Sequence, residues 1–343
     1  MKKYKQTLKL YSSVIILLSG SFAFADERFS VLNRPVPYQG QWGDAELWGQ
    51  VDYAGKDLDF VGVSDEAGSA YIDSHINYFV GLNLGLYKGL SLRYNYLYSD
   101  QKAVRSSAPK EVNVQYDGHD IRLEYAWDFK PSWTLTGQVG FRNHKISPSS
   151  MEYNVQLPDM HISSVIDIDS SDMGALLGVN LSKSFSKGTV RLSAGLEARF
   201  IEVDARITPD SSLRSDSWLG PIVIPEIEKR LPQQIPWQEQ HLIASATFEW
   251  QMWRYVGIAM DFKHYQIWRE NYQAQAGKQD YNSNQQFDFY LFGHVYEGLT
   301  LYGHAQIMTH YLLGEVPLTY NTTTNHKFDK AYGFVSGGLS YSF

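Results

Sequence analysis

The chain has 343 residues, of which 30 are lysine or arginine and 37 are aspartate or glutamate, giving a formal net charge of −7. Nucleic-acid binding needs a basic surface, so this acidic composition argues against it. There is no cysteine, which excludes disulfides and leaves stability to one large core or to a closed network of hydrogen bonds.

The first 25 residues have the features of a secretory signal peptide. A basic start is followed by a mostly apolar stretch over residues 10–18 and by the small-residue pattern of a cleavage site at residues 23–25. The apolar stretch is too short to cross a bilayer as a helix. We therefore expect residues 1–25 to be removed on export. Residues 26–44 follow with prolines, glycines and no regular period, which predicts an irregular segment.

From residue 45 onward, apolar residues recur at every second position. In one such run Ile76, Tyr78 and Val80 share one face, while His75 and Asn77 share the other. This period is typical of a strand with one face in an apolar medium. The chain contains about twelve such runs of roughly 9–14 residues, long enough for a tilted membrane crossing.

The connections between these runs alternate in length along the chain. Tight turns are predicted near residues 88, 131, 186, 253 and 297, and long connections over 54–69, 99–117, 143–170, 203–239, 268–285 and 313–329. A transmembrane barrel has short periplasmic turns and long extracellular loops, whereas a soluble sandwich has no reason to sort its connections in this way. The sequence therefore predicts an all-β fold over residues 45–343: a transmembrane antiparallel up-and-down β-barrel with both termini in the periplasm.

The last strand carries a recognisable pattern. Ser336, Gly338, Tyr341 and Phe343 resemble, position by position, the C-terminal strand of Gram-negative outer-membrane β-barrel proteins. In those proteins this strand closes the barrel and carries the insertion signal that the barrel-assembly machinery reads. The resemblance covers only this strand and indicates a superclass rather than a specific family. It implies an integral protein of the outer membrane that contacts outer-membrane lipid, lipopolysaccharide and that machinery.

Aromatic residues cluster near the ends of the predicted strands on the apolar face. Rings at these positions are typical of the interfacial girdles of membrane barrels. The predicted girdle residues are Tyr94, Tyr96, Tyr98, Trp127, Phe129, Trp133, Phe141, Trp250, Tyr341 and Phe343.

The opposite face interleaves charges of both signs, which predicts a polar lumen. Its predicted pore-lining residues are Asp73, His75, Arg93, Arg122, Glu124, Arg142, Arg191, Glu197, Arg199, Glu249, Asp261, Lys263 and Asp288. Twelve strands enclose more space than the eight that side chains just fill, and less than a sixteen-strand porin. We therefore expect a narrow, charged and aromatic lumen and a porin-like channel for passive passage of small solutes. Residues 26–44 are expected to cap or plug its periplasmic mouth, and 203–239 to constrict the opposite mouth.

Two other functions remain open at this stage. One is a non-conducting barrel with a structural or secretion-associated role. The other is a hydrolase at the extracellular rim, acting on lipid or peptide, for which the candidate residues are Asp117, His119, Asp167, Asp169 and Asp172. Neither a G-x-S-x-G nor an H-E-x-x-H motif occurs in the sequence, and no catalytic residue is assigned.

No cofactor or metal is predicted either. The turn near residue 297 sets His294 and His304 about four residues apart, or ~13 Å, too far to share one metal ion.

Overall fold

In the computed structural model, twelve strands form one closed antiparallel barrel. Each strand pairs with its neighbours in sequence, and β1 pairs with β12 to close the ring. This confirms the predicted fold class and strand number. The structure describes residues 43–55, 70–105, 111–157, 160–186, 189–209, 220–230, 234–270, 282–309 and 332–343. The expectations for residues 1–25, for 26–42 and for the connection at 313–329 lie outside the described residues.

The strands and the helix have the following bounds. They are β1 (Ala45–Gly55), β2 (Ala70–Tyr87), β3 (Leu90–Arg105), β4 (Glu111–Lys130), β5 (Trp133–Leu157), β6 (Met160–Phe185), β7 (Val190–Pro209), α1 (Gly220–Arg230), β8 (Gln234–Gln251), β9 (Val256–Glu270), β10 (Ser283–Tyr296), β11 (Leu299–Met308) and β12 (Tyr332–Ser342). The helix α1 contacts β7. No helix within these ranges is long and apolar enough to cross a bilayer.

The five predicted tight turns are confirmed, and they all lie at one end of the barrel, here called the turn end. Two of them use backbone conformations with positive φ at Gly89 (84°) and Gly298 (74°). A side chain at Gly298 would also meet the backbone oxygen of Ser342, so glycine fits this turn best. The opposite end is here called the loop end.

The two faces of the wall differ in chemistry. On β9, Ala259, Asp261 and Lys263 point inward and are buried, whereas Met260 between them is 45% exposed on the outer face. The same alternation runs through the other strands, with apolar side chains outside and polar ones inside. A soluble protein has the reverse arrangement, so the outer face is built for lipid.

The aromatic residues predicted as girdles lie on this outer face, some at the turn end and others, such as Tyr98 and Phe141, farther along their strands. At the turn end, Phe129 lies between Trp127 and Trp133, with ring centroids 5.8 and 6.4 Å apart. Toward the loop end, Tyr78 and Tyr98 lie 6.1 Å apart on neighbouring strands. The rings at the turn end lie where an interfacial girdle is expected, and a second girdle stays a prediction.

The predicted extents of several long connections are wrong, because the strands are longer than the alternation indicates. Most of 99–117 and 143–170 is strand, and β6 alone has 26 residues. Beyond the lipid-facing belt both faces of a strand meet water, so no period of two is required there. Register shifts between Ile146 and Ser149 interrupt the pattern further. The connection predicted at 203–239 is likewise divided among the end of β7, α1 and the start of β8.

An arginine placed on the lipid-facing belt is expected to destabilise the barrel. Val139 is 49% exposed on the outer face of β5, and Val139→Arg should cost about 2–4 kcal/mol in free energy of unfolding. Asn143→Arg, on the same face of the same strand but nearer the loop end, is the matched control and should cost much less. Urea titration in lipid vesicles measures both, and equal costs would contradict the assignment of the belt.

Candidate functional site: the inner face of the barrel

The charged residues predicted to line a lumen fall on the inner face. Those buried there are His75, Arg93, Glu124, Arg142, Arg191, Asp261, Lys263 and Asp288, and those partly buried are Arg122, Glu197, Arg199 and Glu249. The side chain of Asp73 lies outside the described residues. The inner residues form several hydrogen-bonded groups rather than one ring of a single charge.

The first group is centred on Glu197 of β7. Arg122 Nη1 donates to Glu197 Oε2 at 3.2 Å, Gln138 Nε2 donates to the same oxygen at 2.9 Å, and Arg199 donates to the other oxygen. Arg122 is on β4, so its bond with Glu197 passes over β5 and β6. The inward position of Gly178 on β6 makes this reach possible, because a side chain there would meet the amide of Gln138. This group ties together strands that are not neighbours.

The second group is centred on Asp288 of β10. Lys263 Nζ lies 3.6 Å from Asp288 Oδ2, and His304 Nε2 lies 2.8 Å from Oδ1. Gln286 and Gln306 also donate to this carboxylate, at 2.7 and 2.8 Å. The four partners come from β9, β10 and β11, and the carboxylate is fully enclosed by them.

Two further groups lie nearer the loop end. Arg142 donates to both oxygens of Asp172, at 2.9 and 3.0 Å, a bidentate pair with fixed geometry. The carboxylate of Glu239 accepts from Arg269 Nε at 2.9 Å and from Trp237 Nε1 at 3.1 Å. The charges on the inner face are therefore held in fixed positions at several levels of the barrel.

The sign of the charge is distributed unevenly around the wall. The five adjoining strands β10, β11, β12, β1 and β2 contain no lysine or arginine. Their buried inner face instead carries the carboxylates Glu46, Asp52 and Asp288. The arginines and Lys263 of the inner face lie on β3 to β9. One wall, here called the acidic wall, therefore carries carboxylates without lysine or arginine, whereas the wall facing it carries both carboxylates and cations.

The acidic wall also carries an aromatic cluster, formed by Trp48, Ala259, Tyr290, Phe292 and Tyr302 with Phe79 against it. The ring of Tyr302 lies over Gly338 of β12, and its hydroxyl donates to the backbone oxygen of Gly49 at 3.4 Å. Large rings are accommodated here because β12 presents only the small residues Ser336, Gly338 and Ser340 inward at this level. The inner face is thus aromatic as well as charged.

Comparison with known families adds to this geometry. Residues 31–205 match the family model of the outer membrane protein beta-barrel domain, which is about half of the chain. The chain belongs to this family. It is therefore an integral outer-membrane barrel, with lipid around its outer face. No curated protein sequence matches it.

Solved structures of low sequence identity are similar to this outer-membrane barrel. The translocator domain of autotransporter NalP from Neisseria meningitidis superposes with a TM-score of 0.53 at 9% identity, over 100% of this chain and 96% of that one. The beta domain of a Bordetella autotransporter gives 0.48 at 10% identity, over 87% and 99% of the chains. The NanC porin gives 0.39 at 12% identity, over 87% and 98%. At these identities the NalP likeness shows the fold alone.

The candidate rim residues do not all lie on one face of this outer-membrane barrel. His119 is exposed on the outer face, where its Nδ1 lies 2.8 Å from the hydroxyl of Tyr94. Asp172 points inward and is bound by Arg142. These two groups lie on opposite faces of the wall, so they cannot act on one substrate. Asp117 and Asp169 are half-buried, and the side chain of Asp167 lies outside the described residues.

Metal binding has no support from the described part of the chain. No group of three or more histidine or carboxylate side chains is arranged there to hold an ion. His304 pairs with Tyr290, and His294 pairs with Thr300, so the two histidines lie apart as the turn predicted.

Several inner residues were missed by reasoning from sequence. They are Glu46, Asp52, Asp120, Gln138, Asp172, Glu239 and Arg269. Asp120 could have been found, since it lies two positions before Arg122 and so shares its face. Asp172 was instead grouped with a rim loop, because the start of β6 was placed too late in the chain.

Proposed function

We propose that this outer-membrane barrel is a narrow channel for passive passage of small solutes. The observation that carries the proposal is the uneven distribution of charge on the inner face, with carboxylates but no lysine or arginine on β10 to β2, and with charges of both signs on β3 to β9. An uneven distribution of fixed charge around the passage produces a field across it. Such a field orients dipolar solutes and water, whereas a ring of one sign would select one kind of ion.

The narrowest part of the proposed channel is the level of the Glu197 and Asp288 groups. Side chains there are nearly enclosed, with Arg122 and Glu197 16% and 12% exposed and Lys263 10% exposed. The bond from Arg122 to Glu197 reaches across non-adjacent strands, and the side chains of both groups fill part of the interior. Small solutes alone fit such a passage, in keeping with the size of a twelve-stranded barrel.

The charge on this level should set ion selectivity, which a pair of single variants tests. In planar bilayers, we expect Glu197→Gln to shift the reversal potential toward anion preference and Arg122→Gln to shift it toward cation preference. Lys145→Gln, an exposed outer-face position, is the control and should leave the reversal potential unchanged. Identical reversal potentials for all four proteins would contradict a role for this level in conduction.

The N-terminal segment is proposed to plug the periplasmic mouth, with both termini on the periplasmic side after signal removal. The chain enters β1 at the turn end, where Gly85 donates to the backbone oxygen of Asp44 at 2.8 Å. Arg28 and Arg34 of the segment suit the acidic wall beside this entry. Deleting residues 26–42 from the mature chain should therefore raise single-channel conductance. Unchanged conductance in a folded deletion variant would exclude a plug.

A non-conducting barrel, structural or secretion-associated, is the second candidate. It is favoured by one observation, the direct bond from Arg122 on β4 to Glu197 on β7, which braces the interior. Conductance separates the two candidates. A channel gives discrete current steps from purified folded protein, and a braced, closed barrel gives none.

A further inference from the structure

A neutral polar patch covers the inner faces of β5 to β8. This hydroxyl patch consists of Thr134, Thr136, Asn180, Ser182, Ser193, Ser245 and Thr247. Its members are direct neighbours across the sheet, because Thr136 pairs with Asn180, and Ser193 pairs with both Ser182 and Thr247. The patch is therefore one continuous surface of hydroxyl and amide groups.

Much of the hydrogen-bonding capacity of this patch is unused. Asn180 is 5% exposed, and neither its Nδ2 nor its Oδ1 has a hydrogen-bond partner among the described residues. The hydroxyls of Thr136, Ser193 and Thr247 are buried and likewise lack partners in the described part of the chain. Buried polar groups in native proteins are almost always paired. Four adjoining exceptions indicate that another molecule supplies the missing bonds.

The aromatic cluster extends from β9, which adjoins the hydroxyl patch, to β11, β1 and β2 on the opposite wall. The strand order puts β5 to β8 opposite β11, β12, β1 and β2. The patch and the cluster lie at about the same height where β8 meets β9. Thr247 of the patch pairs with Asp261 of β9, which is two residues from Ala259 of the cluster. On the aromatic side, Trp48 is 2% exposed and its Nε1 has no partner among the described residues. Donors and acceptors without partners therefore face the lumen from both walls.

Two of the charges that border the patch are bound by partners of opposite sign. Lys263, which pairs with Ser245 in the sheet, is bound to Asp288. Glu197, two residues from Gly195 beside the patch, is bound by Arg122. The seven side chains of the patch are themselves uncharged, with the aromatic rings beyond them and Asp261 at the edge beside Thr247.

We propose that the hydroxyl patch and the aromatic cluster form a binding subsite for neutral polyhydroxylated solutes of the sugar type. Each sugar hydroxyl both donates and accepts, which suits the mixed groups of Asn180, Ser193 and Thr247. The apolar face of a sugar ring packs against aromatic side chains, and Phe79 is the partly buried ring of the cluster. An ion gains little from this neutral surface. The inference deepens the proposed channel function by naming its solute class.

Calorimetric titration of the purified full-length mature protein with glucose tests this subsite. We expect saturable binding of glucose and none of triethylene glycol, which is of similar size but lacks the array of hydroxyls. Asn180→Leu removes two hydrogen bonds and should weaken binding by roughly tenfold or more. Thr247→Val keeps the volume and removes one hydroxyl, so it serves as a second variant with a smaller loss.

Asn95→Leu is the matched control. Asn95 is 3% exposed on the inner face of β3, outside the patch, and the same substitution there should leave glucose affinity unchanged. Absence of saturable glucose binding, or equal affinity in wild type, Asn180→Leu and Thr247→Val, would overturn the subsite. A protein that conducts without binding glucose contradicts the subsite alone. One that binds glucose without conducting contradicts the channel alone.

Discussion

Replacing Glu197 by alanine is expected to destabilise the folded barrel by about 3–5 kcal/mol. The substitution removes the acceptor for Arg122, Gln138 and Arg199 and leaves two guanidinium groups enclosed without their shared carboxylate. Removing one partner of a buried ion pair costs more stability than the intact pair contributes, because the remaining buried charge is uncompensated. Urea unfolding in lipid vesicles, followed by tryptophan fluorescence, measures the loss.

Two comparisons make this result interpretable. Glu197→Gln retains an oxygen acceptor and should lose less stability than Glu197→Ala. Glu297→Ala, in an exposed tight turn, should stay close to wild type. If Glu197→Ala also unfolds at the wild-type urea concentration, the bonds across β5 and β6 do not brace the barrel.

Valine at position 338 is expected to prevent stable closure of the barrel. Gly338 faces inward on β12, at the seam with β1, and a Cβ there would lie 2.7 Å from the backbone oxygen of Gly49 as well as against the ring of Tyr302. A backbone oxygen held in a ladder cannot move aside, so the cost should reach at least about 3 kcal/mol. Loss of the folded, heat-resistant band in electrophoresis measures it.

The neighbouring glycine provides the matched control. Gly337 faces outward, and a Cβ at that position would meet nothing within 4 Å. Gly337→Val should therefore fold as well as wild type, and its β-branched side chain suits an exposed strand position in lipid. Equal folding of Gly337→Val and Gly338→Val would contradict the described orientation of β12.

Much of the fold could be predicted because the membrane imposes a regular pattern. Lipid on one face and a polar interior on the other require strict alternation, which the sequence shows on every strand of the barrel. The closing strand was also recognisable from its residues. Tyr341 and Phe343 lie together on the outer face, with ring centroids 4.8 Å apart, and Phe343 donates its backbone N–H to Ala45 of β1 at 2.8 Å.

The parts of the fold that the sequence did not predict lie beyond the lipid-facing belt, where alternation is not required. The strand extensions at the loop end have no lipid beside them, so their composition resembles that of loops. The helix α1 was hidden by its prolines. Pro221 sits in the first turn, where a missing N–H costs nothing, but Pro225 occupies an interior position that usually breaks a helix.

The site was predicted only as a set of inward residues. Alternation identifies the face of each side chain, but not its partner, since partners depend on register between strands. The bond between Arg122 and Glu197 joins residues 75 positions apart in sequence, and no local pattern indicates it. The absence of lysine and arginine from β10, β11, β12, β1 and β2 was visible in the sequence. These strands form one continuous wall only because β12 pairs with β1.

Cysteine accessibility tests the central claim most directly, and the chain has no cysteine of its own to interfere. Ser245 points inward on β8, while its neighbour Ala244 is exposed on the outer face. In lipid vesicles, a small charged thiol reagent should modify Ser245→Cys, and only a lipid-soluble reagent should modify Ala244→Cys. Two results would contradict a barrel with lipid outside and a water-filled passage within. They are protection of Ser245→Cys from the charged reagent, and ready modification of Ala244→Cys by the charged reagent.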